Sequence, residues 1–320
     1  MFGILGSGFG LYGYLPAAVA LGFSPILVPA RYQNKFLSRD NLQKFNDNIC
    51  WIDTDQDLIE MATTLVISRR PIDQCKELPN YLSQGQLKKI IFEKPLAIDP
   101  VSALKMLDMV EASGKKCTAG FTFRFTPWAA LLQPTLNSTF PTKKEVWILQ
   151  WHFMANHFST GLWNWKRDNA QGGGVLRFYG IHVIALLAEF GYTEVVSSEI
   201  LNGPNNEAYT AWHAIFRGPE HPEFRVEVDS HSDKEFFILR NLNKDANLYE
   251  DNDPFKLPVN QNHEAEIDLR YIFLQEVLSE QITPDQPWPK RLLDGINLWA
   301  LVERETKILS VKKSTSQTPQ

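Results

Sequence analysis

The sequence predicts an α/β protein whose first part is a parallel sheet covered by helices. Two observations lead to this prediction: short apolar runs alternate with helical segments over residues 1–122, and a glycine-rich turn follows the first run. Strands that alternate with helices at this spacing form a parallel sheet with helices on both faces. Strands are expected at residues 2–5, 26–28, 64–68, 89–92 and 117–123, and helices at 15–21 and 100–112.

The turn after the first strand reads G-S-G-F-G-L-Y-G at residues 6–13. Glycines let the backbone turn sharply and let a pyrophosphate approach a helix N-terminus. Counted from the strand end, Gly6 and Gly8 match the start of the dinucleotide pattern G-x-G-x-x-G, but Leu11 takes its third place. Counted from Gly8, the whole pattern fits but starts late. The turn is expected to contact a dinucleotide through Gly6, Gly8, Phe9, Gly10 and Leu11; a glycine-rich turn without a ligand is the alternative.

Arginines follow the next two predicted strands. Arg31 stands where an NAD enzyme usually carries an acid for the ribose hydroxyls, so it can instead meet a 2'-phosphate. This slightly favours NADP over NAD, with a solvated surface arginine as the alternative. Ser68, Arg69 and Arg70 end the strand at 64–68 and emerge at the same sheet edge. Ser68 and Arg69 are expected to contact the cofactor, unless the arginines are merely solvated.

A lysine ends the strand at 89–92, in the stretch I-I-F-E-K-P-L-A-I. Pro95 stops the strand because it has no N–H to donate, and this holds Lys94 at the strand's carboxyl edge. Ligands of open α/β sheets sit at that edge. Lys94 is therefore a candidate functional residue, and a surface lysine at a strand end is the alternative.

Composition narrows the class of protein. The 320 residues suffice for about two domains, and a net charge of -5 gives no reason to expect nucleic acid or an anionic membrane as partner. Three widely separated cysteines predict neither a zinc site nor structural disulfides, which fits a cytoplasmic setting. No metal is expected. The uncharged first 30 residues are interrupted by glycine and proline too often for a spanning helix.

The second half of the sequence changes to longer β-rich runs. These lie at residues 145–153, 208–217, 224–230 and 235–239, and helical periodicity returns at 289–309. Residues 311–320 form a polar tail. The expected division of the chain is therefore 1–122, 123–310 and 311–320.

Four motifs resemble one known family. They are the glycine turn, E-K-P at 93–95, G-F-T-F-R-F-T-P at 120–127 and G-G-G-V-L-R-F-Y-G-I-H at 172–182. Together they resemble the glucose-fructose oxidoreductase, inositol dehydrogenase and MocA family. The resemblance implies an N-terminal Rossmann dinucleotide-binding domain and a C-terminal α/β domain with a large, mostly antiparallel sheet for substrate binding and oligomerisation. It also implies NAD(P), a homodimer or homotetramer, and hydride transfer at a ring carbon of a sugar, nucleotide sugar or cyclitol.

The resemblance also implies roles for site residues. Lys94 would lie beside the nicotinamide and the reacting carbon, with Glu93 also at the cofactor, and His182 would contact the substrate hydroxyl and share acid–base work. Most members carry an aspartate four residues before that histidine, where this chain has Phe178. Three explanations for this difference compete. Tyr179 or another group supplies the function of the aspartate, or Lys94 and His182 suffice with a different proton route. In the third, the protein has lost the redox reaction. The rival functions are a non-catalytic binding or scaffold protein and a redox-neutral enzyme with bound NAD.

Residues 151–168 are dense in aromatic and hydrogen-bonding side chains. Such a segment can line a sugar site, with Trp165 and Lys166 as expected substrate contacts. Core packing is the alternative for any one tryptophan. Lys166, Arg167 and Arg177 can hold an anionic substituent. Arg124 is expected to support the substrate site near the domain junction.

Overall fold

The structure is a computed structural model that describes residues 1–136, 145–203, 208–244, 246–257, 268–280 and 288–309. The predicted polar tail at 311–320 lies outside these residues. Two sheets organise the described chain, with six and seven strands. Among its described helices, none combines the length and apolar character that crossing a lipid bilayer would require.

The first sheet is parallel throughout. Its order is β3-β2-β1-β4-β5-β6, which is the Rossmann order, so the predicted fold class of the first part is confirmed. The sequence patterns miss β3, an edge strand whose residues are mostly half-exposed. The six strands are β1 (Phe2–Leu5), β2 (Ile26–Pro29), β3 (Ile49–Ile52), β4 (Thr64–Ile67), β5 (Lys89–Phe92) and β6 (Lys116–Ala119).

The helices of the first part connect these parallel strands. A π-helical turn at Gly10–Tyr14 precedes the first α-helix, which the predicted segment at 15–21 covers. The predicted helix at 100–112 is confirmed, and Asp99 caps it by accepting the amide hydrogen of Ser102 at 2.7 Å. The helices are α1 (Leu15–Ala20), α2 (Gln33–Leu37), α3 (Asp40–Gln43), α4 (Asp55–Met61), α5 (Pro71–Ser83) and α6 (Pro100–Ser113).

The strand predicted at 117–123 is wrong at its end. β6 stops at Ala119, and the amide of Phe121 donates to the carbonyl of Ala119 at 2.8 Å. This tight turn takes the chain out of the sheet and into a 3-10 turn at Phe123–Phe125. The motif G-F-T-F-R-F-T-P is therefore a loop at the carboxyl edge of the sheet.

The second sheet is mixed and mostly antiparallel, as expected. Its order is β12-β11-β7-β10-β9-β8-β13, and only the described pairs β7–β10 and β8–β13 are parallel. The strands are β7 (Val146–Met154), β8 (Glu194–Asn202), β9 (Tyr209–Gly218), β10 (His221–Asp229), β11 (His231–Asn241), β12 (Ala246–Asp251) and β13 (Thr306–Leu309). The helices are α7 (Pro127–Leu136), α8 (Asn156–Ser159), α9 (Ile181–Glu189), α10 (Tyr271–Ser279) and α11 (Lys290–Glu305).

The helix predicted at 289–309 is too long at its C-terminal end. α11 ends at Glu305, and the last four residues form β13, which pairs in parallel with β8. β-branched Thr306 and Ile308 suit an edge strand better than a helix end. The chain therefore returns to its second sheet after the helix.

Helix α10 joins the core of the first sheet although it lies far along the chain. Leu274, Val277 and Leu278 are buried in the same apolar cluster as Leu15 and Ala18 of α1. Lys89 at the start of β5 donates to the carbonyl oxygens of Leu278 and Glu280, at 3.2 and 2.9 Å. The division of the chain at residue 122 stays a prediction. Helix α10 comes after that boundary in the sequence but packs into the core of the first sheet.

Candidate functional site

A cleft of about 830 Å³ opens at the carboxyl edge of the first sheet. The strand order reverses between β1 and β4, and ligands of such sheets bind at this switch point. Gly6 follows β1, Ser68 follows β4 and Lys94 follows β5, so three strand ends contribute to one wall. Trp165, His182 and their neighbours from the second half form the opposite side.

Gly6 lies directly against Ser68. Its φ of +145° and a Cβ position only 2.2 Å from the carbonyl oxygen of Ser68 exclude any larger residue. Glycine at this position therefore lets the first strand turn beside β4. This requirement comes from the protein itself.

Gly8 differs, because a Cβ there would meet no protein atom within 4 Å. Gly8 and Phe9 line the cleft where the first helical turn begins. A strand, a glycine turn and a helix N-terminus beside open space fit the pyrophosphate of a dinucleotide. The described residues thus fit such a cofactor.

Two of the residues expected at the cofactor lie beneath the turn instead. Gly10 packs on Ile4, 3.1 Å from its Cβ position, and Leu11 belongs to the core of the first sheet. Neither lines the cleft, since the chain turns into a helix before reaching them. Of the two ways of counting the motif, the one that starts at Gly6 agrees better with the cleft, because Gly6 and Gly8 both line it.

Arg31 and Arg69 line the same end of the cleft and share one carboxylate. Asp55 accepts from Arg31 Nε at 3.0 Å and also pairs with Arg69, which contacts Glu77 as well. Burial alone would raise the pKa of Asp55, but the two guanidinium groups lower it. The Arg31 side chain is 54% exposed and the Arg69 side chain 14%, so Arg31 is the more available to a ligand.

Lys94 reaches across the cleft to the second half of the chain. Its Nζ donates to the backbone carbonyl of Phe178 at 2.7 Å and lies 3.9 Å from the centre of the Phe178 ring. The Lys94–Pro95 peptide bond is cis. Burial lowers the pKa of Lys94 below the ordinary lysine value, and the neighbouring Glu93 carboxylate opposes this shift in part.

Glu93 is held from below the cleft by Tyr14. The Tyr14 hydroxyl donates to Glu93 Oε2 at 2.8 Å. Burial raises the pKa of Glu93, and Lys94 and the Tyr14 hydrogen bond oppose this. Gly120 makes room for the pair, because a Cβ there would lie 2.3 Å from the Tyr14 hydroxyl and 2.7 Å from Glu93 Oε2.

A π-helical turn shapes the opposite wall. The sequence predicts a helix from Val175, but Val175–Gly180 is π-helical and α9 begins only at Ile181. The wider turn brings Phe178 and Tyr179 onto the cleft together, although neighbours on an α-helix point apart. His182 lines the cleft one turn later.

His182 is 4% exposed and stacks on Phe123, with ring centroids 4.8 Å apart. Its Nδ1 has no hydrogen-bond partner among the described residues. Burial, and then the charges of Lys94 and Arg270, lower the pKa of His182 well below its ordinary value. The imidazole is therefore neutral near pH 7.

Tyr179 packs edge-on against Phe153, at 4.8 Å between ring centroids. Burial raises the pKa of its phenol, so the hydroxyl stays protonated near neutral pH. It can then donate a hydrogen bond or a proton into the cleft.

Besides Lys94, Lys166 is the predicted substrate cation that lines the cleft, beside Trp165. Arg167 donates to the carbonyl of His157, and Arg177 pairs with Glu303. Arg124 does not line the cleft: it donates to Glu189 at 2.7 Å, in a small recess between β6, α9 and α11 that shares His182 with the cleft. Its ion pairs occupy it there.

Phe255 and Arg270 also line the cleft, although the sequence does not single them out. The Arg270 guanidinium lies 4.7 Å from the Phe9 ring centre and 5.7 Å from that of Phe255. Arg270 precedes α10, so the packing of that helix on α1 carries it to the glycine turn. No local motif marks either residue. Within the described ranges, His, Cys, Asp and Glu side chains form no group of three suited to a metal ion.

Comparison with known proteins shows the fold. No protein-family model and no curated protein sequence matches the chain. An oxidoreductase from Thermotoga maritima has a similar structure, with TM-score 0.68 and 16% identity over 95% of both chains. A 3-ketoreductase from Actinomadura kijaniata, solved with NADP and TDP-benzene, gives 0.69 and 13% over 97% of this chain and 99% of that one. The WlbA dehydrogenase from Thermus thermophilus, solved with NAD and UDP-GlcNAcA, gives 0.65 and 14% over 97% and 96%.

Proposed function

We propose that the protein is an NAD(P)-dependent oxidoreductase that transfers hydride to or from a ring carbon of a sugar, nucleotide sugar or cyclitol. The observation that carries this proposal is that one cleft contains both the glycine turn and, further along, Lys94 and His182. The similar structures support it, since the ketoreductase holds NADP and the dehydrogenase holds NAD with UDP-GlcNAcA. The resemblance of the sequence motifs points the same way.

In this proposal the dinucleotide lies along Gly6, Gly8, Phe9, Ser68 and Arg69. Arg31 would meet a 2'-phosphate, which favours NADP. The nicotinamide supplies or accepts the hydride when bound. Glu93 would support this site from below, through its hydrogen bond with Tyr14.

Lys94 would handle the proton that accompanies hydride transfer. When a carbonyl is reduced, its carbon gains a hydride and its oxygen must gain a proton. An ammonium beside that oxygen stabilises the developing charge and can donate the proton; in the reverse direction the neutral amine accepts it. The lowered pKa of Lys94 brings the two forms closer to balance at neutral pH.

His182 and Tyr179 would complete the proposed site. A neutral imidazole offers one donor and one acceptor, so His182 can orient the substrate hydroxyl and exchange its proton. Tyr179 stays protonated and can donate to an oxygen of the substrate. Trp165 and Lys166 would contact the remaining sugar, whereas Arg124 is excluded from the proposed substrate site by its position. A homo-oligomer and a cytoplasmic location stay predictions.

Phe178 favours a second candidate function. Within the π-helical turn, an aromatic ring approaches Lys94 at the place where the family that the sequence resembles usually carries an aspartate. A non-catalytic cofactor-binding protein, or a redox-neutral enzyme that recycles bound NAD, would tolerate this change. Retention of Lys94 and His182 in the cleft favours the oxidoreductase.

The proposal is tested by titrating the protein with NADPH and NADH, following nicotinamide fluorescence, and by screening nucleotide sugars and cyclitols for turnover. Lys94→Met should keep cofactor binding and lower turnover at least about 100-fold, since general acid–base catalysis contributes that much. Lys105→Met, an exposed position on α6, is the matched control. Cofactor binding without turnover would favour the second candidate, and no binding of either dinucleotide would refute both cofactor-dependent functions.

A further inference from the structure

The two ends of the cleft differ in how their positive charges are paired. At the glycine-turn end each arginine contacts a carboxylate: Arg31 and Arg69 contact Asp55, and Arg70 donates to Asp73 at 2.7 Å. These charges are neutralised within the protein. The end that holds Lys94 is different.

Lys166 lines that other end and has no ion-pair or hydrogen-bond partner for its ammonium among the described residues. Its Nζ lies 5.0 Å from the centre of the Phe178 ring, the same ring that Lys94 approaches to 3.9 Å. Two ammonium groups thus share one aromatic ring. The ring favours both charges but cannot neutralise either of them.

Arg270 adds a third cation. Asp268 accepts from its Nε at 2.8 Å and from Nη2 at 2.5 Å, which leaves Nη1 without a partner in the described chain. Burial is the main cause of the lowered pKa of Lys94 and of Lys166, and the positive charge of Arg270 lowers both further.

Two carboxylates face these three cations among the described residues: Glu93 lines the cleft beside Lys94, and Asp268 pairs with Arg270. Glu93 also accepts a hydrogen bond from Tyr14, and burial raises its pKa, which favours the neutral carboxyl form. Lys166 is left without a carboxylate partner in the described chain. The described residues therefore leave this end of the cleft with excess positive charge. A buried excess of one sign is costly unless a ligand of opposite sign offsets it.

We infer that the substrate carries an anionic group, a carboxylate or a phosphate, which binds at Lys166. The inference rests on the proposed function and narrows its substrate class from sugars in general to acidic sugars or sugar phosphates. A pyrophosphate at the glycine turn would lie toward Arg270, which is 4.7 Å from the Phe9 ring centre. The nicotinamide ring carries no negative charge, so the cofactor does not neutralise Lys166. The Lys166 Nζ, which has no hydrogen-bond partner in the described chain, supplies donors for a charge-assisted hydrogen bond.

The experiment uses the NADPH-loaded protein and three probes: D-glucuronate for a carboxylate, α-D-glucose 1-phosphate for a phosphate, and neutral D-glucose. Binding is followed by the change in nicotinamide fluorescence and by the rise in Tm. We expect at least one acidic probe to bind about tenfold or more tightly than glucose, the size of one charge-assisted hydrogen bond. Which acid binds distinguishes carboxylate from phosphate.

Lys166→Met should remove this preference and leave NADPH affinity unchanged, while Lys166→Arg should keep it and Lys105→Met should have no effect. Equal binding of all three probes, or binding of none, would overturn the inference. Retention of the preference in Lys166→Met would also overturn it. A wild-type protein that binds no NADPH would contradict the proposed function instead, and the same titration detects this.

Discussion

The ammonium of Lys94 and the residue Phe178 meet twice, through a 2.7 Å hydrogen bond to the backbone carbonyl and a 3.9 Å approach to the ring. Both contacts favour the charged lysine, but neither can take its proton. Lys94 is thus oriented by a residue that has no acid–base chemistry of its own. Phe178 stands where the family that the sequence resembles usually carries an aspartate. It fixes the lysine in place, while burial keeps the pKa of Lys94 low.

Phe178→Asp should shift the pH dependence of carbonyl reduction. A carboxylate beside Lys94 stabilises the ammonium and raises its pKa, by about one unit or more. Because reduction needs the protonated lysine, the rate should then persist to higher pH before it falls. The measurement is turnover of NADPH against pH. Phe178→Leu, which removes the ring without adding charge, should not move the alkaline limit upward; the same upward shift in both variants would contradict this explanation.

The two glycines of the turn should respond differently to alanine. Gly8→Ala adds a methyl group to open cleft, so the Tm without cofactor should stay unchanged while NADPH binding weakens about tenfold or more. Gly6→Ala forces a collision with the Ser68 carbonyl at positive φ and should cost about 1–3 kcal/mol of unfolding free energy. Thermal melts and fluorescence titration measure the two effects. Unimpaired NADPH binding by Gly8→Ala would place the cofactor elsewhere.

Arg31→Ala should weaken NADPH more than NADH, by about tenfold, because only the former has a 2'-phosphate for the guanidinium. Asp55 keeps its pair with Arg69 in this variant, so the fold should be unaffected. Paired fluorescence titrations give the ratio of the two affinities. Arg304→Ala, at an exposed position on α11, serves as the control. An equal loss for both dinucleotides would argue against the 2'-phosphate contact.

Gly120→Ala should destabilise the protein by about 1–3 kcal/mol, since the new methyl group displaces the Tyr14–Glu93 hydrogen bond. Urea unfolding measures the change. Gly85→Ala is the matched control, because a Cβ there meets nothing within 4 Å. If both variants unfold at the same urea concentration, the close packing around Glu93 does not contribute to stability.

The sequence predicts the parts of the molecule whose signals are local. A glycine turn after an apolar strand places Gly6 at the carboxyl edge of the sheet. A proline after another apolar strand, Pro95, places Lys94 at the same edge. Edge strand β3 escapes detection, because half-exposed residues there lack a continuous apolar run. The shared cleft position of Phe178 and Tyr179 also escapes, since it depends on a π-helical turn that no spacing rule encodes.

Arg270 is missed for a different reason. Its place beside Phe9 results from the packing of α10 on α1, and contacts between distant parts of a chain leave no trace in local patterns. Arg124 is the reverse case: the sequence predicts it at the substrate site, but it does not line the cleft. Its motif lies near the predicted junction, but its charge is taken up by Glu189 in a recess beside the cleft.

The insertion of α10 into the core of the first sheet also sets an order of events during translation. The six strands of that sheet leave the ribosome well before Leu274, Val277 and Leu278 are synthesised. Until then, the apolar surface of α1 that α10 will cover stays open to water and to chaperones. The first sheet is therefore synthesised early, but its core is complete only after α10 has been made.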